Sequence, residues 1–238
     1  MLPFSREQFV GVFAEYNATL GPLQSAAPLL GLVLVVLLLH PSPRRDRLIG
    51  AGVAALWVWT GVVYHGLFFA RINAVAWGFG ALFVLHGGLL WHAVVKDEFH
   101  FAATAGARGI VGWALIAYAV GLYPLVGLLS GQPFEELPAY GFTPCPLTLT
   151  TLGCLLLADA TPPHRLWAIP LLWSLVGGSA AVMLAMPQDW PLLAGGLAAS
   201  VLWVGRERRH GRSARPHAGS SAGPSSCGDS DRTSAARH

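Results

Sequence analysis

Charge is what this sequence has least of. Of 238 residues only 11% are Asp, Glu, Lys or Arg, while 54% are hydrophobic. A soluble domain carries about 25% charged residues, and a folded chain needs polar surface wherever it meets water. The shortage excludes an ordinary soluble globular domain. It also excludes a disordered chain, which is poor in apolar residues. Lysine is all but missing, Lys96 being the single one. A seven-helix retinal protein needs an intramembrane lysine for its Schiff base, so that class falls too. Cysteine is scarce: Cys145, Cys154 and Cys227, with no C-x-x-C. Cys145 and Cys154 are nine positions apart, about 13 Å along a helix, beyond disulfide reach. A disulfide scaffold, a redox pair and a zinc framework are excluded. The H-E-x-x-H and G-x-S-x-G patterns are absent as well. The sequence indicates no catalytic motif, no metal centre and no cofactor.

What is present is an integral membrane composition. The charges divide the chain into uncharged runs at 16–43, 48–70, 72–95, 109–134, 137–158, 166–188 and 190–205. A helix needs about 20 apolar residues to cross the roughly 30 Å hydrocarbon core. Six runs are long enough. The seventh has 16 residues and reaches about 24 Å. Pro144 and Pro146 shorten the fifth, whose helix is expected from about Cys145 to about Asp159. Strands are excluded, because period-two alternation is absent and open edges in lipid leave backbone groups unpaired. The expected fold is an all-α membrane protein, a seven-helix transmembrane bundle with short fifth and seventh helices. Its expected divisions are an N-terminal interfacial helix over 1–21, the bundle over 22–205, and a disordered basic tail over 206–238.

Lys and Arg set the orientation. Two, Arg6 and Arg71, fall on the side of the N-terminus and thirteen on the other, seven of them in the tail. The N-terminus is therefore expected outside and the C-terminus inside. Six spans would put the tail arginines on the wrong side, so the odd number is favoured, with a re-entrant seventh segment as the alternative. Trp77 and Trp190 fall at outer ends, and Trp91, Trp113, Trp167 and Trp203 at inner ends, as an aromatic belt requires. Trp57, Trp59 and Trp173 fit no interface and read as packing residues. The first run ends in Leu38-Leu39-His40-Pro41 with no small-residue cleavage pattern, so it is expected to stay as a helix.

The two ends differ from the middle. Ser5 followed by Gln8 is a capping-box pattern, and Phe9, Val12, Phe13, Tyr16 and Leu20 recur at helical spacing. This segment reads as a helix on the outer surface, or more sharply as a lid over an outer cavity. The tail has almost no apolar residue and is expected not to fold. Its arginines would face anionic lipids of the inner leaflet. Nucleic-acid binding is not indicated, because no folded module or aromatic interleaving accompanies the charge.

Few polar groups remain to carry chemistry. His86 should lie about 16 Å below the outer end of the third span, with no Asp, Glu, Lys or Arg in any central stretch. An ionisable residue at that depth is a functional candidate. The plainer reading is a neutral imidazole hydrogen-bonded to a neighbouring helix. A proton path through His65, His86 and His92 is loose, since His86 and His92 point to different sides of one helix. The outer rim is denser. Tyr64 and Arg71 are seven apart and share a face if the helix continues, with His65 and Asn73 beside them. The following outer loops add Glu135, Glu136, Cys145 and Asp189. Arg71 is expected to pair with Glu135, Glu136 or Asp189, as a clamp between loops or as part of a shallow binding site. Cys145 reads as an inert packing residue or a reactive thiol. Small residues at four-residue spacing (Ser174 and Gly178; Gly177, Ala181 and Ala185; Gly195 and Ala199) read as helix-contact stripes.

Several strings resemble one family. They are Leu2 to Phe9, Tyr64-His65 with Phe69 to Asn73, Gly141 to Cys145-Pro146, and Ile169 to Gly178 with Pro187-Gln188-Asp189. They resemble a bacterial family of polytopic membrane proteins of unknown function, over roughly 1–205. The resemblance implies a bacterial inner-membrane protein and no activity. Two function classes stand open. One is a membrane protein that binds or passes a small solute, with the outer rim and His86 along its route. The other is a membrane-embedded enzyme or a thiol- or metal-handling protein using Cys145 and His65. A purely structural role is the background. A continuous polar cavity from Arg71 to His86 would favour passage, and a close Cys145–His65 pair would favour chemistry.

Overall fold

The computed structural model describes residues 3–98, 100–101 and 104–213. All regular structure among these residues is helical, apart from one isolated bridge between Phe101 and Ala158. The first helix, α1 (Arg6–Leu20), begins at the expected capping box. Ser5 Oγ accepts from the Gln8 amide at 3.2 Å, and Gln8 Oε1 accepts from the Ser5 amide at 2.8 Å. It ends at Gly21, whose φ of 49° turns the chain into α2 (Pro22–Leu39) at 89°. Then follow α3 (Arg45–Arg71), α4 (Ala76–Val95), α5 (Gly106–Leu129), α6 (Pro144–Leu157), α7 (Arg165–Met183) and α8 (Trp190–Ser213).

Each uncharged run thus holds one helix, from α2 to α8. By length and composition four can cross a membrane: α3, α4, α5 and α7. The bent pair of α1 and α2 makes a fifth if the two count as one span, and α6 is a shorter apolar helix. Charged side chains collect at and near the helix ends. At the end opposite α1, Arg165 pairs with Glu98, Arg47 with Asp97 at 3.7 Å, and His164 with Glu207 at 3.2 Å. Arg206 binds the carbonyls of Ala158 and Asp159, which end α6.

Every residue of α6 is buried. It packs against α3, α5, α7 and α8. A wholly buried helix must satisfy its own hydroxyls. Thr148, Thr150 and Thr151 each donate to the carbonyl four residues earlier, at 2.8 to 2.9 Å. Thr151 also accepts from Trp57 Nε1 at 2.8 Å, tying α3 to α6. Large apolar side chains lie exposed on α2, α3, α4, α5, α7 and α8, among them Leu32, Val62, Leu85, Ile110, Leu175 and Leu197. Such a shell far exceeds what a soluble monomer shows water.

Close helix contacts rest on glycine. A Cβ on Gly61 would lie 2.7 Å from the Gly80 carbonyl oxygen, and one on Gly80 equally close to that of Gly61. Gly112 and Gly153 join α5 to α6 in the same way. The stripe of Ser174 and Gly178 does face a helix: Ser174 seats on Gly196, and Leu193 on Gly178. The two glycine pairs join residues far apart in the chain, so no spacing rule marks them in the sequence.

Three expectations are corrected. The chain does not lose order at 206, because α8 continues to Ser213; the rest of the expected tail, with Cys227, lies outside the described residues. Trp167 is buried and stacks on Trp203 at 5.3 Å, so packing, not an interface, fixes it. Nor does α1 lie free on a surface. Its Val12, Phe13, Tyr16 and Asn17 are buried. Asn17 Nδ2 donates to the carbonyls of Glu135 and Leu137, and Tyr16 hydroxyl to that of Phe142.

Candidate functional site

Beneath α1 lies a cavity of about 260 Å³, bounded by α1, α3, α4, α5, α6, α7 and the turn before α8. Its apolar wall is aromatic. Phe4, Phe9 and Phe13 come from the N-terminal segment, Phe69 from α3, Phe79 from α4 and Trp173 from α7. The rings hold one another: Phe4 meets Phe69 edge-on at 5.4 Å, Phe13 stacks on Tyr64 at 5.6 Å, and Phe79 meets Trp173 at 5.3 Å. Edge and offset contacts of this kind fix ring orientation. The N-terminal segment therefore covers the cavity, in line with the lid reading.

The polar end consists of Tyr64, Tyr123, Cys145 and Asp189. Tyr123 hydroxyl donates to Asp189 Oδ1 at 2.5 Å, and Cys145 lies beside the same carboxylate. Asp189 is 2% exposed, the one buried carboxylate among the described residues. It forms no ion pair there. It sits in the 3₁₀ turn Pro187–Asp189, between helices and outside the spans. Burial pushes its carboxyl up from the ordinary 3.8 to about 6, against the neighbouring Tyr123 and Cys145 side chains, which pull it down. Tyr64 hydroxyl is buried at the same end with no hydrogen-bond partner among the described residues.

Local backbone explains these placements. Within α3 the stretch Thr60–Phe68 is wound as a π-helix, and within α5 so is Tyr118–Leu122. Wide turns of this type recur at functional sites because they change which side chains face inward. Tyr64 lies in the first, and Tyr123 directly follows the second. Asp189 is carried by a turn held on both sides. Tyr118 hydroxyl donates to the Gln188 carbonyl at 2.8 Å, and Gln188 Nε2 to Gln132 Oε1 at 2.6 Å.

Of the residues expected at the outer rim, Tyr64, Asn73, Cys145 and Asp189 line this one cavity. Four do not. Arg71 does not share a face with Tyr64: the π-turn shifts the register, and Arg71 is exposed, bound to Glu15 and set 5.1 Å over the Phe68 ring. That corrects the expected pairing with Glu135, Glu136 or Asp189. Glu135 and Glu136 lie on a 3₁₀ turn, and their backbone carbonyls, accepting from Asn17 and Gln132, do the holding. His65 is buried among Tyr64, Phe83 and Trp173 rings, and neither ring nitrogen has a hydrogen-bond partner among the described residues. The Cys145–His65 pair is therefore not formed. His86 is likewise without a hydrogen bond, set against Trp57 at 4.2 Å. This corrects the expectation of an interhelical bond: the neighbours on that face are aromatic. Sequence reasoning misses Tyr123 and the aromatic wall, which carry no signal in an apolar helix.

Among the described residues no group of three or more His, Cys, Asp or Glu is placed to hold a metal ion. Comparison with known families settles kinship without chemistry. A family model described as a family of unknown function, DUF6064, matches residues 6–214. The chain belongs to this family. The match takes in every helix and the whole cavity lining but Pro3 and Phe4, and it extends beyond the 205 expected from the resemblance. No curated protein and no solved structure matches the chain.

Proposed function

We propose that this DUF6064 protein is a multi-pass membrane protein that binds a small, largely apolar molecule in the cavity under α1. The carrying observation is the aromatic-walled space ending on a buried carboxylate. An engineered apolar cavity of about 150 Å³ holds one benzene. The cavity here, at about 260 Å³, suits one ring with a short substituent. Passage of a solute is disfavoured, because neither Arg71 nor His86 lines the cavity.

The membrane part of the reading takes α2 to α8 as seven spans, with the N-terminus outside and the C-terminal end of α8 in the cytoplasm. Six helices carry lipid-compatible outer faces, and four of them, α3, α5, α7 and α8, pack against the buried α6; backbone hydrogen bonding inside each helix meets the demand of lipid. The arginine excess at the opposite end from α1 supports the orientation. On this reading the basic end of α8 meets anionic lipids of a bacterial inner membrane, and the cavity opens outward.

Saturation-transfer NMR with indole or 2-phenylethanol on protein in lipid nanodiscs tests the binding reading. Transfer is expected for the native chain and lost in Ala180→Phe, which fills the space. Equal transfer in both proteins refutes it.

A further inference from the structure

The cavity combines two features that a neutral apolar ligand does not use. One is a carboxylate buried without a basic partner among the described residues. The other is the aromatic lining of the same cavity. We propose that the occupant is a small organic cation, an ammonium group on an aromatic or short aliphatic body, with Asp189 as its counter-ion. This rests on the reading of the cavity as a ligand site.

Charge decides the class. Among the described residues no Arg, Lys or His lines the cavity, so an anion would meet the Asp189 carboxylate uncompensated. A neutral molecule would leave that carboxylate desolvated, a costly state for an ion. An ammonium group repays the desolvation directly. Asp189 Oδ1 already accepts a hydrogen bond from the Tyr123 hydroxyl, but a carboxylate has further acceptor sites. Tyr64 hydroxyl, unpartnered and buried at the same end, supplies another acceptor. The cavity's aromatic lining suits a cation as well, since an aromatic ring attracts one within about 6 Å of its centre. The size limit excludes large amphiphiles and admits a single-ring amine.

Entry is beside the N-terminal segment. Pro3, Phe4 and Met183 line both the cavity and an open surface groove between Phe4–Gln8 and Met183–Ala185. A ligand passing there displaces Phe4 and Phe9, which stack at 5.8 Å.

Protonation gives an internal control. The titratable groups facing Asp189 are Tyr64 from α3, Tyr118 and Tyr123 from α5, and Cys145 from α6. None of these is cationic, so the acid limb of binding follows Asp189 itself. With its carboxyl near 6, about one molecule in ten is ionised at pH 5. Affinity for a cation then falls about tenfold between pH 7.5 and 5.

The test uses a matched pair, 2-phenylethylammonium and 2-phenylethanol, titrated by calorimetry into the full chain in phosphatidylglycerol nanodiscs, with empty discs subtracted. The amine is expected to bind at least tenfold tighter at pH 7.5. That preference disappears in Asp189→Asn and shrinks about tenfold at pH 5 in the native chain, an arm that needs no variant to fold. Discs containing phosphatidylethanolamine separate the sources: competition with the probe assigns the ammonium to a lipid headgroup, and its absence to a free amine. Equal affinity for alcohol and amine overturns the cation and leaves the cavity reading intact. An amine preference unchanged by pH and by Asp189→Asn overturns Asp189 as counter-ion. If neither probe binds, both readings fall.

Discussion

Replacing Asp189 by Asn is expected to stabilise the ligand-free protein, and the amount follows from the site. The carboxyl is held near 6 instead of 3.8. The gap of about two pH units corresponds to roughly 3 kcal/mol. The sign runs one way. Between about pH 4 and 6 the folded chain keeps a proton on Asp189 that the unfolded chain has lost, so stability falls as pH rises. Below that window both states are protonated and no penalty is felt. Above it the folded protein carries the full cost of a desolvated carboxylate. Asn keeps an oxygen to accept from Tyr123 and has no charge to desolvate. Equilibrium unfolding in detergent micelles, followed by tryptophan fluorescence from pH 4 to 8, measures this. The difference between native and Asp189→Asn isolates the site from His100 and His164, whose pairs with Asp46 and Glu207 are common to both. The difference should open from near zero at pH 4 to roughly 3 kcal/mol in favour of Asn above pH 7. Parallel curves, or a variant less stable at pH 7.5, would refute the reasoning.

Other perturbations probe the frame around the site. Gly80→Ala puts a methyl group 2.7 Å from the Gly61 carbonyl oxygen and should destabilise by about 1–3 kcal/mol, whereas Gly88→Ala, with nothing within 4 Å, should be neutral or better in the same unfolding assay. Ala185 holds a φ of 51° where α7 ends, with the Met186 amide bonded to the Ala181 carbonyl; Ala185→Gly should stabilise by about 1 kcal/mol. Ser5→Ala removes the cap of α1 at a cost of about 1 kcal/mol, seen as faster amide exchange in residues 6–12. A single cysteine at Ser42, in an otherwise cysteine-free chain, should react with an impermeant maleimide in cells only after permeabilisation; reaction in intact cells would invert the proposed orientation.

Helices are legible because charge marks their ends. Every uncharged run holds a helix, and Pro144 opens α6 where the prolines place it. The error at 206 has a physical source. Composition says whether a segment can bury surface, but α8 continues past Gly205 because Arg206 finds the free carbonyls at the end of α6. The site is half legible. Tyr64, Asn73, Cys145 and Asp189 stand out as polar groups near helix ends, and they meet in one cavity. Arg71 leaves the face of Tyr64 because the seven-residue rule assumes an unbroken α-helix, and nothing in Thr60–Phe68 announces a π-turn. The aromatic wall is invisible for another reason. Phe and Trp serve equally as lipid-facing, packing and ligand-facing residues, and only the fold separates these uses.

Asp189 shows where a one-dimensional reading of charge stops. Along the chain it is one more acid in a loop, equivalent to Glu135 and Glu136. In space the three differ because their loops differ. Residues 130–143 form a long connection, exposed at Glu135, whose carbonyls rather than carboxylates hold α1. The connection from Leu184 to Asp189 spans two adjacent helices in six residues. It is pinned at its start by Met186 to Ala181 and at its end by Tyr118 and Gln132. A tether that short, anchored twice, cannot swing its acid outward to meet water or Arg71. The carboxylate is held inside by the geometry of its turn, at an energetic cost, facing aromatic rings. Loop length between neighbouring helices is therefore the feature of the sequence that distinguishes this acid from the other two. The shorter the connection, the less freedom a charged residue in it has to escape the bundle.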